Sequence, residues 1–501
     1  MQNATKKLTA WQLTALQQPE FGFVQKLIAN FPQANVYLVG GAVRDIIIDR
    51  QTKDYDFVVT KVAAADLEAF LATLGDTNLV GKSFGVFKFK PTDYEGEAFD
   101  IALPRTEVAG MSGGYTDFEI QSDKDLPIEA DLGRRDFTIN ALAWDIAAKN
   151  LIDVYDGLHD LEQRVIRAIG KPEERFQEDY TRMMRAIRFS CQLGCAIDND
   201  TAAAIAAKAD AISEMSVERI NDEFTKIILS DRAGEGIRLL HVLGLLKPLI
   251  PELEDSIGVG QNKAHIYDVF EHLVRALDVA VERSYSLEIR LAALFHDIGK
   301  PDTKEGDGIE STFYNHDIVG AKMTKTILKR LNYSNDIITK VVHLVRYHMF
   351  YYALDSVTDA GVRRLLNRLG KDHIEDFIAV RICDRLGMGR PKAKPWKLLQ
   401  LERRLKEVQL EPITPKMLAL RGDELMPLLK LTPGPRVGMI LNALLGEVLE
   451  DPGRNTREYL ENRAHELNQL DDEALKALHP DIIAYEEERK RLLHQKSADS
   501  V

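Results

Sequence analysis

Two aspartates flank one tyrosine in Asp54-Tyr55-Asp56, ten residues after Arg44 of the run Gly40-Gly41-Ala42-Val43-Arg44-Asp45. Residues i and i+2 of a strand point to one face, so Asp54 and Asp56 project together and repel unless a cation lies between them. Mg2+ takes oxygen ligands and often binds through one or two carboxylates plus substrate phosphates. The paired glycines let backbone amides approach a phosphate, and Arg44 is placed to pair with it. Each fragment alone reads as a solvated turn or a strand end; together they point to phosphoryl transfer. A second group is rich in imidazole: His296-Asp297 closes the apolar stretch LEIRLAALF, with His272 upstream and His316, His343, His348 and Asp384 downstream. Imidazole suits transition metals, and an aspartate adds charge and can bridge two ions. His265 and His343 read as isolated surface or core histidines. A third pattern, Arg182, Arg185 and Arg188, recurs every three residues and predicts one helical face shared with Asp179, close enough for Glu178 and Asp179 to pair with it.

These residues need a scaffold. VYLVGG (36–41), YDFVVT (55–60), FGVFKFK (84–90) and FDIAL (99–103) read as strands, which predicts an α+β domain built on one sheet up to about residue 155. Asp100 of FDIAL is a weaker candidate for a further acidic group at the site. From about 158 onward, apolar residues at three- and four-residue spacing predict helices. GRPKAKPW (389–396) reads as a linker or exposed turn, and the segment containing YEEERKRLL as a charged amphipathic helix with a frayed end. The expected divisions are 1–157, 158–255, 256–390 and 391–501.

Of the 501 residues, 45% are hydrophobic and 29% charged, which excludes a disordered chain. Three cysteines make no disulfide framework and fit a reducing, cytoplasmic setting. MQNATKKLTAWQ lacks the apolar segment of a leader, and no stretch is apolar enough to span a membrane. The net charge of −13 argues against a nucleic-acid partner if averaged over the surface. Locally the balance reverses: 164–190 carries seven Lys/Arg against four Asp/Glu, and 363–404 twelve against five. A basic track for a nucleic acid is therefore not excluded by the total, and binding along it would be salt-sensitive.

GGAVRD followed by DYD resembles the motif of class II tRNA nucleotidyltransferases (CCA-adding enzymes) and bacterial poly(A) polymerases, within the DNA polymerase β-like superfamily. LGRRDFTINA (132–141), Asp153…Gly157…Asp160-Leu161 and EDYTRMMRAIRF (178–189) resemble that family's later motifs in the same order. ITPKMLALRGDELM…LTPGPRVGMILNAL, beyond residue 410, resembles a C-terminal module of bacterial members. The resemblance implies a polymerase-β-like nucleotidyltransferase head, an all-α neck, an HD domain and a helical C-terminal tail that binds RNA. It implies that Asp54 and Asp56 hold Mg2+, and that Gly40, Gly41 and Arg44 contact the triphosphate. Arg135 and Asp136 would meet the nucleotide's phosphates or ribose. Asp179 and Arg182 would read the base edge of CTP or ATP, with Arg185 and Arg188 completing that wall. The glycine-containing segment 104–120 resembles the mobile loop of enzymes that add the final A.

The H…HD…D order similarly resembles the HD phosphohydrolase superfamily. That implies His272, His296, Asp297 and Asp384 as core ligands of a transition metal, His316 and His348 at a second metal position, and Lys300 on a phosphate. The expected function is template-independent CCA addition to tRNA from CTP and ATP, with an accessory phosphohydrolase acting on RNA 3′ ends or nucleotides. A poly(A) polymerase, or a chain that is mainly an HD phosphohydrolase, are the alternatives.

Overall fold

Alternation of apolar residues builds a sheet that is buried on both faces. β1 (Asn35–Val39) sends Val36 and Leu38 into one core and Tyr37 and Val39 into another. β2 (Asp56–Thr60) does the same with Phe57 and Val59 against Val58. With β3 (Gly75–Val80), β4 (Val86–Pro91) and β5 (Phe99–Ala102) they form most of a seven-stranded sheet. A separate hairpin pairs β6 (Arg105–Val108) with β7 (Glu119–Ser122). β8 (Ala143–Asp145) and β9 (Asn150–Ile152) complete the sheet, whose order is β3-β4-β5-β2-β1-β8-β9. The β2–β5 pair is parallel and every other pair in this sheet is antiparallel. Three registers matter for the site: Val39 opposite Asp56, Asp56 opposite Asp100, and Lys88 opposite Asp100.

The computed structural model describes the chain except for residues 81–84, 109–118, 263–265, 350–356, 410, 412–413 and 479–501. The middle of the glycine-containing segment 104–120, His265 and YEEERKRLL lie outside the described residues. The chain divides into Met1–Leu249 and Ile250–Val501. After the sheet, the first unit is helical apart from a two-residue ladder between Val165–Ile166 and Ala196–Ile197. Among the described residues, the second unit is helical apart from a ladder between Lys304–Glu305 and Thr312–Phe313. GRPKAKPW forms the connection between helices Ile374–Gly387 and Trp396–Val408. One apolar core runs through both sides of that connection, from Ala276, Ala293 and Ile382 to Leu405, Leu444 and Leu475.

The N-terminal helix Gln2–Ala15, which carries no recognised motif, is tied to the sheet by Gln12. Its buried amide donates to the Ile146 carbonyl at 2.9 Å and accepts from Trp144 Nε1 at 2.7 Å. Gln12→Leu leaves both groups buried and unpaired. A loss of about 2–4 kcal/mol is expected, measured as a lower urea midpoint; an unchanged midpoint would show that the tie carries no stability.

Candidate functional site

The first site begins where β1 ends. Gly40 takes φ +70°, a left-handed conformation that favours glycine, and it lies against the Arg135 guanidinium. The helix Gly41–Ile47 follows and buries Arg44. Arg44 Nε donates to Asp45 Oδ1 at 2.8 Å and Nη1 to Asn140 Oδ1 at 2.5 Å. β2 starts at Asp56, so Asp54 stands just outside the ladder instead of within the strand as predicted. The alternation still holds, because Tyr55 turns the other way to pack on Trp11, Phe21 and Phe99. Burial pushes the Asp56 carboxyl up to about 6; Arg135 opposes this, while Asp54 and Asp100 add repulsion. Burial followed by Asp100 also raises Asp54. Asp100 is held by Lys88 Nζ at 3.1 Å. Crowded oxygen donors whose charged forms are disfavoured suit a hard cation.

Behind the carboxylates, Asp131 is fully buried and holds Arg134 at 2.9 Å and Arg135 at 3.5 Å. Asp136 lines the same cavity and is engaged by protein partners. Its Oδ1 accepts from the Phe137 amide at 2.8 Å and Asn140 Nδ2 at 3.0 Å. Its Oδ2 accepts from Arg185 Nε at 2.8 Å and lies 2.5 Å from Nη2. Burial alone would raise the Asp136 pKa; Arg185 and Asn140 outweigh it and hold the carboxyl below the usual range.

The arginine helix spans Thr181–Leu193, and Asp179 is not on it. Asp179 caps the preceding helix Pro172–Glu178, and its Oδ1 accepts from the Thr181 amide at 3.0 Å and hydroxyl at 2.6 Å. Its other oxygen accepts from Arg219 Nη2 at 2.6 Å. Arg182 is buried against Glu178 at 2.5 Å and the Arg134 carbonyl at 3.2 Å. Arg188 donates to Glu223 at 2.6 Å and lies 4.0 Å over the Phe189 ring. The arginine face is thus packed and paired, not solvated. Arg219, Glu223 and Lys226 share the helix Val217–Ile228, and their spacing of three and four residues was the available signal for a second wall. Together these groups surround a cavity of about 1070 Å3, with Asp54, Asp56 and Asp100 at one side and Arg44, Arg135, Arg182, Arg185, Arg188 and Arg219 around it.

The second site gathers every core residue named for it. His272 comes from helix Val269–Glu282, and His296-Asp297 follow helix Leu287–Phe295. His316 opens helix His316–Arg330, His348 caps helix Asn335–Tyr347, and Asp384 comes from helix Ile374–Gly387. Two groups of potential ligand atoms result: His272, His296, Asp297 and Asp384, and Asp297, His316 and His348. Asp297 divides its oxygens between them. Oδ2 lies 3.2 Å from His272 Nε2 and 3.3 Å from His296 Nε2. Oδ1 lies 3.3 Å from His316 Nε2 and 3.4 Å from His348 Nε2.

The rings are aimed by their far nitrogens. Nδ1 of His296, His316 and His348 lies 2.9, 2.6 and 2.7 Å from the carbonyls of Ala293, Phe313 and Val345, so each Nδ1–H donates outward and each Nε2 faces inward. Nε2 of His316 and of His348 is buried with no hydrogen-bond partner. Burial would lower His296, but Asp297 and Asp384 push it up to about 10. Imidazole nitrogens, two carboxylates and orphaned inward atoms fit a cation of the transition series. Lys300 Nζ lies 2.5 Å from Asp297 Oδ2 and donates to Gln261 Oε1 at 2.6 Å. His343 stands apart, donating through Nε2 to the Leu369 carbonyl at 2.8 Å.

Residues 36–167 match the poly A polymerase head domain, 194–257 the probable RNA and SrmB-binding site of polymerase A, and 269–389 the HD domain. An A-adding tRNA nucleotidyltransferase of Deinococcus radiodurans is 35% identical over 432 residues, 82% of this chain and 92% of the relative. A CC-adding tRNA nucleotidyltransferase of Thermus thermophilus is 32% identical, covering 82% and 89%. A multifunctional CCA protein of Stenotrophomonas maltophilia is 35% identical, covering 66% and 80%. In fold, the chain is similar to the Bacillus stearothermophilus CCA-adding enzyme solved in complex with CTP, with a TM-score of 0.64, 24% identity, and 90% and 98% of the two chains covered.

The raised Asp56 pKa carries a pH signature. Because the folded value of about 6 exceeds the ordinary 3.8, ionising Asp56 destabilises the metal-free fold as pH rises through that interval. Asp56→Asn is expected to stabilise metal-free protein by about 2 kcal/mol at pH 8, and the gain should vanish below about pH 4. Thermal melts in chelator across that range check it.

Proposed function

The chain belongs to the tRNA nucleotidyltransferase and poly(A) polymerase family, and from that premise we propose that it adds CCA to tRNA 3′ ends from CTP and ATP without a nucleic-acid template. One observation carries the reading: the glycine-turn, DYD, RRDFTIN and EDYTRMMRAIRF motifs converge on one cavity with carboxylates on one side and paired arginines around it. Asp54 and Asp56 would hold Mg2+, which supplies activation of the attacking 3′-hydroxyl and offsets charge developing at the α-phosphate. Gly40 and Gly41 give the triphosphate access to backbone, Arg44 and Arg135 offer it guanidinium donors, and Asp136 positions Arg185. Arg182 and Asp179 present donors and acceptors to the base edge, Glu178 and Arg219 keep them in place, and Arg188 supports that wall from Glu223. A base read by fixed protein groups needs no template strand.

The HD centre is read as a metal-dependent phosphohydrolase acting on RNA 3′ ends or nucleotides. His272, His296, Asp297 and Asp384 would hold one transition metal, and His316 and His348 would serve a second position through Asp297. Lys300 would turn from Asp297 to a substrate phosphate. Within the two units we assign 1–157 to the head, 158–255 to the neck, 256–390 to the HD domain and 391–501 to the RNA-binding tail. The buried free thiols of Cys191, Cys195 and Cys383 are in keeping with a cytoplasmic setting, and among the described residues no helix is long and apolar enough to cross a membrane.

A second reading has its own support. The A-adding and CC-adding relatives each align with 82% of this chain, against 66% for the multifunctional protein of Stenotrophomonas maltophilia. A specialist for one part of the CCA end is therefore the competing outcome. With Mg2+ and tRNA ending before CCA, CTP alone should give two additions, and CTP with ATP should give one further A. Stopping after CC, or accepting only tRNA that already ends in CC, would establish the specialist; a long A tail would establish a poly(A) polymerase. Asp54→Ala and Asp56→Ala should each leave less than about 1% of addition. Asp297→Ala should lose metal-dependent hydrolysis while retaining addition, read on the same preparations; hydrolysis that survives would overturn the HD assignment.

A further inference from the structure

The chain has three tryptophans. Trp144 is fully buried, and Trp11 is half-buried against Phe21 and Tyr55. Trp396 is 60% exposed. It is the first residue of helix Trp396–Val408, directly after Pro395. From Arg385 to Lys397 the sequence has five basic residues and no acidic one, within a chain of net charge −13. Arg390, Lys392 and Lys397 are exposed in the same stretch of chain as the indole. Lys394 is taken by Glu402 at 2.7 Å.

The connection that presents these groups is anchored. Arg385 Nε donates to the Lys392 carbonyl at 2.7 Å, fastening it to the helix that carries Asp384. Gly389 takes φ +79°, and its Cβ position lies 3.2 Å from Ile266 Cδ1 and 3.6 Å from the Tyr267 ring. That places the connection against the segment leading into the helix of His272. Asp384 lies one turn before the end of helix Ile374–Gly387, so the surface starts roughly 5 Å along the axis from that ligand's position.

We infer that Trp396, with Arg390, Lys392 and Lys397, is a docking surface for single-stranded RNA at the approach to the HD centre. An indole offers its face to any base, and the cations meet the backbone phosphates on either side. The uniform positive charge favours a polyanion over an apolar partner, and the aromatic plane distinguishes an unpaired nucleotide strand from other polyanions. The inference rests on the reading of the chain as an RNA-acting enzyme and deepens it by naming a surface outside the nucleotide cavity.

The test uses the full-length protein and an unmodified 12-nucleotide oligoribonucleotide. Iodide should quench mainly Trp396, and Trp396→Phe should remove most of that quenching. Saturating RNA should then cut the iodide-accessible fluorescence by at least half. Trp396→Ala should weaken RNA binding roughly tenfold. Arg390→Glu, Lys392→Glu and Lys397→Glu combined should weaken it further and flatten the salt dependence by about two in log–log slope. Trp396 remaining accessible at saturating RNA, or wild-type affinity in both variants, would overturn the surface. Equal protection by polyglutamate or by phosphatidylglycerol vesicles would reassign it to an acidic protein or a lipid surface. Nucleotide addition measured on the same samples keeps the two readings apart: protection without addition overturns the transferase alone, and addition without protection overturns the surface alone.

Discussion

Buried Asp136 meets half-buried Arg185 through contacts of 2.8 and 2.5 Å, and the first site is organised around that pair. On the aspartate side, Asn140 bridges to Arg44 in the helix after the glycine turn. On the arginine side, Glu223 lies 3.9 Å from Arg185 and binds Arg188 at 2.6 Å. Acid and base therefore alternate from the end of the sheet to the helix Val217–Ile228. Removing Arg185 strands the buried Asp136 carboxylate, at a cost of about 1–3 kcal/mol. The network thus fixes the angle at which the arginine wall faces Asp54 and Asp56, and an error there would reach every contact with a nucleotide.

The two sites use opposite electrostatic devices. In the first, burial and then the neighbouring carboxylates set by strand register disfavour the charged forms, with the arginines held across the cavity. In the second, Lys300, Arg381 and the neighbouring histidines hold the buried carboxylates below the usual range. The net charge of −13 is the sum of such local settlements and of exposed acidic surface, and it does not describe any one face.

Motif residues and their ordering were legible because chemistry constrains type and spacing together. The paired glycines, DYD, the arginine triplet and the HD set all lie where those constraints put them, near one another or on one face. What escaped was support. Gln12, Asp131, Asn140 and Glu223 act by hydrogen bonds to groups far away in sequence, and nothing in their own neighbourhoods announces that. Asp179 was misplaced because Glu178-Asp179-Tyr180 contains no glycine or proline, and the helix break is made by the Asp179 side chain bonding to Thr181. Strands of three residues such as Ala143–Asp145 are too short to show alternation, although this one fills the sheet beside β1.

The unbroken apolar core of the second unit links regions that motif boundaries separate. Ala276, Ala293 and Ile382 belong to the helices that carry the metal-ligand candidates, and they share that core with Leu405, Leu444 and Leu475. A cut at residue 390 would be an excision from the middle of a cooperative folding unit, exposing one half of an interior. The centre's geometry is consequently underwritten by helices that contribute no ligand. Recombination could exchange the unit as a block, but an exchange of the C-terminal helices alone would have to rebuild the interior beneath the histidines.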